Sequence, residues 1–137
     1  MPQHLQASLA RLGTFFFCFA FVAVSAFGQG PETAEADAAF ERRGYFKAAD
    51  EYTAAYAKVK TDVALKGYCA YMAGESFRMH YKNKSAVEWY EKAIGLKYGD
   101  RNADLFLHLG DAQRSLLNWD DAIEMYTKYR EAGGSKR

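Results

Sequence analysis

The strongest constraint on this chain is an alanine followed four residues later by a tyrosine, three times at nearly equal intervals. The three pairs are Ala48 with Tyr52, Ala86 with Tyr90, and Ala122 with Tyr126. Residues four apart lie on one face of an α-helix, so each pair marks a helix. The alanines at 48, 86 and 122 are 38 and then 36 residues apart, a period typical of proteins built from repeated helical units.

A small residue stands twelve positions before each of these alanines, at Ala36, Gly74 and Gly110. The constant offset predicts two helices in each unit, with small residues where their backbones cross closely. One helical pair cannot bury its apolar face alone, so neighbouring units are expected to stack. The predicted helices cover about 32–43, 46–59, 62–80, 84–96, 102–117 and 119–132.

This pattern resembles the tetratricopeptide repeat (TPR), whose signature is W-x2-L-G-x2-Y, then A-x3-F, then P. The third unit carries the clearest match, which consists of Phe106, Leu109, Gly110, Ala122 and Tyr126. The family's proline is absent, because Lys60 and Tyr98 occupy its places. Both intervals also exceed the family's usual 34 residues, so longer connections between the units are expected.

The resemblance implies an all-α fold, namely an α-solenoid of three TPR-like helix-turn-helix units within residues 29–132. The units would cover about 31–60, 62–98 and 102–132. In this family the first helix of each pair lines a concave groove that binds a peptide or an extended segment of another protein. The side chains that would face the groove here are Tyr68, Tyr71, Glu75 and Arg78 in the second unit, and Asp104, Leu107, Asp111 and Arg114 in the third.

The spacing of Glu75 with Arg78, and of Asp111 with Arg114, leaves a second interpretation open. Opposite charges three residues apart form salt bridges on a solvated helix surface, each worth roughly 0.2–0.5 kcal/mol, without any partner. The two acids also argue against one function known in the family, the clamping of a terminal carboxylate, because they would repel it. We therefore do not expect a receptor for acidic C-terminal peptides.

Several asparagine and aromatic residues stand at positions that predict structural roles, the asparagines as helix caps and the aromatic residues in the core. Asn83, Asn102 and Asn118 stand at predicted helix starts, where a short amide side chain can accept hydrogen bonds from free backbone N–H groups. The aromatic residues that follow the repeat are predicted to lie in the core. These are Tyr52, Tyr90, Tyr126, Trp119 and Phe106.

The first 28 residues have the pattern of a secretory signal peptide. Residues 12–27 carry no charged side chain, but this run of 16 residues falls short of the roughly 20 that cross a bilayer core as a helix. Small residues at Ala26 and Gly28 suit a signal peptidase, so cleavage is expected near Gly28. The protein would then be exported, and periplasmic or associated with the outer membrane. The alternative is a retained anchor, and contact with a membrane is expected only through this segment.

Charge and motifs argue against several function classes. With 18 Lys and Arg against 17 Asp and Glu, the chain is too balanced for an electrostatic nucleic-acid binder. The sequence has no phosphate-binding glycine loop, HExxH, CxxC or GxSxG. His80, His108 and Cys69 are expected to be surface or packed residues rather than metal ligands or nucleophiles. We predict a non-enzymatic protein without cofactor or metal, whose partner is another protein.

The C-terminal residues leave a second function open. Residues 133–137 are expected to form a flexible tail that begins with the helix-stopping Gly133 and Gly134. Three repeats usually need a capping helix, so the last helix would be covered by a partner, or the chain is a fragment. Together with the signal peptide, this arrangement resembles the N-terminal region of secreted Bacteroidetes proteins in which TPRs precede a β-propeller and an OmpA-like peptidoglycan-binding domain. Some of those proteins are linked to type IX secretion, which implies a structural docking part of a larger envelope assembly.

Overall fold

The computed structural model describes residues 30–134, and in that part the chain is helical and contains no strand. The helices are α1 (Ala34–Glu41), α2 (Tyr45–Lys58), α3 (Val63–Met79), α4 (Asn83–Gly95), α5 (Asp104–Ser115) and α6 (Trp119–Glu131). A short 3₁₀ helix covers Tyr98–Asp100. The predicted all-α class is confirmed, and each predicted helix agrees with an observed one to within two residues at either end. The signal peptide predicted for residues 1–28 and the last three residues of the predicted tail lie outside the described residues.

The helices pack mainly in the order of the chain. Each one contacts its neighbours in sequence, and the pairs α1–α2, α3–α4 and α5–α6 form the three units. Small residues dominate the interior, since most of the fully buried side chains are alanines around two tyrosines, Tyr52 and Tyr90. No helix within residues 30–134 has the length and apolar character needed to cross a bilayer.

The turns inside the three units have the same geometry. Arg43, Tyr81 and Leu117 adopt the left-handed conformation, with φ of 60°, 61° and 65°. The N–H of the next residue then donates to a carbonyl five residues back, a helix-ending arrangement known as the Schellman motif. These hydrogen bonds join Gly44 to Ala39, Lys82 to Phe77, and Asn118 to Gln113, with N···O distances of 2.9, 2.9 and 3.0 Å. The sequence period is therefore matched by a period in the backbone, and the fold is repeat-like.

The helix starts correct part of the cap prediction. Asn83 is the first residue of α4 rather than its cap, and Asn118 caps α6 without accepting a backbone hydrogen bond. The Asn118 side chain instead donates to Gln113 Oε1 at 2.7 Å. Asn102 does accept a hydrogen bond, from the backbone N–H of Asp104 at 3.2 Å, but it lies outside the observed cap position. An acid that was not predicted, Asp62, caps α3 by accepting from the Leu65 N–H at 2.9 Å.

The predicted aromatic core is confirmed only in the first two units. Tyr52 and Tyr90 are completely buried, and Phe106 and Tyr126 are partly buried. The prediction for Trp119 was wrong, because its side chain is 57% exposed. Trp119 begins α6, and among the described residues no helix follows that could cover this side of the last unit.

Candidate functional site

Two glycines let a tyrosine ring lie directly against the backbone of the preceding helix. A Cβ atom added to Gly74 would stand 2.6 Å from the ring of Tyr90, and one added to Gly110 would stand 2.6 Å from the ring of Tyr126. Both distances are shorter than carbon atoms tolerate, so the close approach requires glycine. The predicted close crossing is thus present, and the tyrosine of the second helix is what fills it.

In every unit, the hydroxyl of the second helix's tyrosine also donates a hydrogen bond to a carboxylate of the first helix. The acid follows the small residue of the first helix by one position, and the tyrosine stands 15 residues after the acid. Tyr52 donates to Asp37 Oδ1 at 2.6 Å, Tyr90 donates to Glu75 Oε1, and Tyr126 donates to Asp111 Oδ1 at 2.8 Å. We call Asp37, Glu75 and Asp111 the unit acids.

The first two unit acids are also contacted from the unit that follows. Tyr68 donates its hydroxyl proton to Asp37 Oδ1 at 2.9 Å. His108 places Nδ1 2.6 Å from Glu75 Oε1. Each of these acids therefore links the two helices of its own unit and the first helix of the next one.

Glu75 is the centre of the densest polar cluster in the described chain. Arg78 contacts Glu75 Oε2 through Nη2 at 2.8 Å and donates from Nε to the Tyr90 hydroxyl at 3.1 Å. The Tyr71 hydroxyl lies 3.1 Å from Nδ1 of His108, whose ring is stacked on that of Tyr71. Glu75 itself is only 7% exposed. The pairing of Glu75 with Arg78 is present, but the solvated setting of the alternative interpretation does not apply to it, because Glu75 is buried.

The electrostatics of this cluster favour an ionised carboxylate. Burial alone raises the pKa of Glu75, because water is removed from the charged form. Hydrogen bonds from His108, Arg78 and Tyr90 outweigh that effect, so the pKa of Glu75 lies below its ordinary value. The same burial, together with the negative charge of Glu75, raises the pKa of Tyr90. The cluster is thus a carboxylate held by neutral and cationic donors.

Asp111 has the same position in the third unit and a different environment. Among the described residues its polar partners are Tyr126 and Arg114, and the closest Arg114 nitrogen stands 3.6 Å away. The side chains of Arg114 and Asp111 are 60% and 35% exposed. The salt bridge that the sequence left open for this pair is present, and it lies at the surface.

The eight residues predicted to face a groove therefore fall into three environments. Tyr71 and Glu75 are buried, Arg114 is exposed, and the other five are partly exposed. Tyr71 and Arg78 belong to the cluster around Glu75, together with His108, and Asp111 and Arg114 form a second group. Tyr68 lies apart from both, with its hydroxyl on Asp37 and its ring edge-on to Tyr52 at 6.1 Å between centroids.

Sequence reasoning missed three contributors to this network. Asp37 could have been found, because it follows Ala36 as Glu75 follows Gly74. His108 could not, since the matching position of the second unit, 36 residues earlier, holds a methionine. Tyr98 lies in the 3₁₀ turn outside the repeat pattern, and its ring stacks on Tyr71 at 5.3 Å between centroids.

Residues 30–134 contain no group of three or more His, Cys, Asp or Glu side chains placed to hold a metal ion. Within the same range no buried polar side-chain atom lacks a hydrogen-bond partner. Cys69 is fully buried, as predicted for a packed thiol, and that burial raises its pKa to about 11. A cleft of about 590 Å³ opens beside the α2–α3 turn, and of the eight predicted residues Tyr68 alone lines it.

No protein-family model matches the chain, and no curated protein matches it.

Proposed function

We propose that this chain is a non-enzymatic scaffold of the cell envelope, in which three TPR-like units form an α-solenoid that binds an extended segment of another protein in its concave groove. Support comes from the backbone period of the three turns and from the unit acids, which recur in all three units. Export, through cleavage near Gly28, is part of the proposal.

The observation that carries the proposal is the difference in availability between the second and third units. The polar groups of Glu75 and Tyr71 are already engaged by His108, so they stabilise the fold. Asp111 and Arg114 keep open hydrogen-bonding capacity at 35% and 60% exposure. Leu107 lies one helical turn before Asp111 and adds an apolar contact of its own. A partner segment with an apolar side chain flanked by polar or charged groups fits this surface.

A second function is favoured by α6. Ile123 is 63% exposed and stands one turn after the exposed Trp119, so both lie on one face. An apolar face of this kind suits a structural docking part of a larger outer-membrane, peptidoglycan-associated or type IX secretion assembly. The two functions differ in the surface that the partner covers.

Site-specific photo-crosslinking in the protein's own cell envelope tests both. A photoreactive amino acid is placed at Leu107 for the groove, at Ile123 for α6, and at the exposed Glu88 of α4 as the matched control. We expect one distinct protein adduct from position 107, and we expect Arg114→Glu to remove it. Mass spectrometry of the adduct identifies the partner.

Other patterns of adducts contradict the groove proposal. A distinct adduct from position 123 alone assigns the partner to α6 and supports the docking function. Identical adducts from positions 107 and 88 mean that the contact at 107 is unspecific. An adduct at 107 that persists in the Arg114→Glu variant removes Arg114 from the proposed surface.

A further inference from the structure

The three turns inside the units lie side by side. The ring of Phe46, at the start of α2, is 5.7 Å from the ring of His80, at the end of α3, measured between centroids. Leu116, at the end of α5, shares a surface depression of about 250 Å³ with Tyr81 and the residues up to Ser85. These contacts join the α1–α2 turn to the α3–α4 turn and the latter to the α5–α6 turn. We call this row of three turns the turn edge.

The turn edge carries most of the exposed large apolar side chains of the described chain. Two others lie elsewhere, Val63 at the start of α3 and Ile123 on α6. Those on the turn edge are Phe46 (65% exposed), Met79 (38%), Tyr81 (90%), Leu117 (68%) and Trp119 (57%). Single exposed apolar residues are ordinary, but such a concentration marks a contact surface.

Two of these residues occupy positions where the backbone disfavours them. Tyr81 and Leu117 have φ of 61° and 65°, a conformation that glycine and asparagine adopt easily and bulky side chains rarely do. A strained position of this kind is normally compensated by contacts of the side chain. Here the side chains are 90% and 68% exposed, so the fold of the chain does not account for a tyrosine and a leucine at these points.

The first two turns add positive charge to this surface. Their exposed basic residues are Arg42, Arg43, Lys47, Lys82 and Lys84, against one exposed acid, Glu41. Within residues 30–134 none of these five side chains takes part in an ion pair. The third turn supplies Leu117 and Trp119 and also two exposed acids, Asp120 and Asp121, at the start of α6. Since the whole chain has a formal net charge of +1, this is a local concentration.

We propose that the turn edge docks on the surface of an anionic lipid bilayer. Aromatic and aliphatic side chains at the tips of turns would enter the headgroup region, and the flanking lysines and arginines would bind lipid phosphates. Lysine is depleted in protein–protein interfaces, and three of the five basic side chains on the turn edge are lysines, so a bilayer fits better than a protein. This contact is separate from the one expected through residues 12–27 and does not depend on the groove.

Full-length protein retains the uncharged run at residues 12–27, which would bind a vesicle by itself, so the measurement must report on the turn edge alone. Trp119 provides that report when the partly buried Trp89 is replaced by Phe. Full-length Trp89→Phe protein is titrated with phosphatidylcholine vesicles, with and without phosphatidylglycerol, that carry brominated lipid to quench tryptophan emission. We expect a shift to shorter wavelength and strong quenching of Trp119 on the anionic vesicles, and neither on the neutral ones.

Charge reversal supplies the decisive variant and its control. Lys82→Glu with Lys84→Glu should raise the vesicle concentration for half-maximal quenching by at least about thirtyfold, since each lysine near an anionic surface contributes about fivefold and each new carboxylate adds repulsion. The same reversal at Lys58 and Lys60, which lie at the α2–α3 turn, should leave that concentration unchanged. All four lysines are exposed, so both variants are expected to keep the helical circular dichroism of the parent.

Three results would overturn the proposal. One is an unquenched Trp119 on anionic vesicles, and another is equal quenching on neutral and anionic vesicles. The third is an equal loss in the two charge-reversed pairs. Flotation of the protein with its native Trp89 on the same vesicles repeats the charge comparison without the Phe substitution. Self-association that Tyr81→Ser and Leu117→Ser abolish, in the absence of quenching by lipid, would assign the edge to a protein contact instead.

Discussion

The second and third units share one local sequence pattern, but the acids in that pattern have different environments. Glu75 and Asp111 each follow a glycine, and each accepts a hydrogen bond from a tyrosine of the next helix. Glu75 is buried by the unit that follows it, whereas Asp111 remains 35% exposed at its side chain. The same local sequence pattern therefore serves as internal structure in one place and as available surface in another, and the neighbour decides which.

The largest difference between the two units is expected in the free energy of unfolding when each carboxylate is removed. Glu75→Ala leaves Tyr90 and Arg78 without their partner in a buried setting, and we expect a loss of about 3 kcal/mol in the free energy of unfolding. Asp111→Ala removes a solvated pair and should cost less than about 1 kcal/mol. Urea denaturation followed by circular dichroism measures both. Equal losses would mean that burial does not distinguish the two units.

The two glycines give the next largest difference. A methyl group at Gly74 meets the fully buried ring of Tyr90, and overpacking of this kind costs about 1–3 kcal/mol, less the roughly 1 kcal/mol that alanine gains in a helix. At Gly110 the ring of Tyr126 is partly exposed and can move aside, so Gly110→Ala should be nearly neutral. Thermal unfolding of both variants checks this. A larger loss at Gly110 would show that Tyr126 is held as firmly as Tyr90.

Removal of the tyrosine hydroxyls sharpens the comparison without changing packing. Tyr90→Phe deletes one donor to the buried Glu75 and should cost about 1 kcal/mol. Tyr126→Phe deletes the matching donor to Asp111, which water can replace, and should cost less than about 0.5 kcal/mol. A double-mutant cycle of Tyr90→Phe with Glu75→Gln should show coupling, and additive losses would argue against the hydrogen bond.

The smallest expected difference concerns pH. The pKa of Glu75 is lower in the folded chain than its ordinary value of about 4.3, so its contribution to stability is complete above that value. The contribution is lost as the pH falls through the folded-state pKa. Unfolding free energies measured from neutral to acid pH should therefore fall less steeply for Glu75→Gln than for the parent. Parallel pH profiles would mean that this carboxylate is not stabilised by its donors.

The sequence predicted the parts of this structure that depend on short spacings. The six helices, the close approach at Gly74 and Gly110, and the buried Tyr52 and Tyr90 all follow from residues four or twelve positions apart. The burial of Glu75 did not follow, because it requires His108 from 33 positions later. The exposure of Trp119 depends on what packs beside α6, which no local pattern records.

The turns also show a limit of prediction from sequence, even between residues that are close together in the chain. The first turn contains a glycine, Gly44, yet the left-handed residue is Arg43, and Gly44 has an ordinary φ of −78°. Asn118 was expected to cap α6, but its side chain prefers the nearby Gln113. In both cases several residues could satisfy the same backbone requirement, and residue type alone does not choose among them.

The cross-unit contacts to Asp37 and Glu75 give the molecule a direction. In each case the acid belongs to the earlier unit, and Tyr68 or His108, which completes its set of donors, comes from the later one. The two ends of the array are therefore not equivalent: in a chain emerging from the ribosome, Asp37 and Glu75 would gain their last donor only when the next unit had been made. Loss of α5 and α6 would remove His108 and leave Glu75 with an incomplete set of donors. Loss of α1 and α2 would remove Asp37 itself.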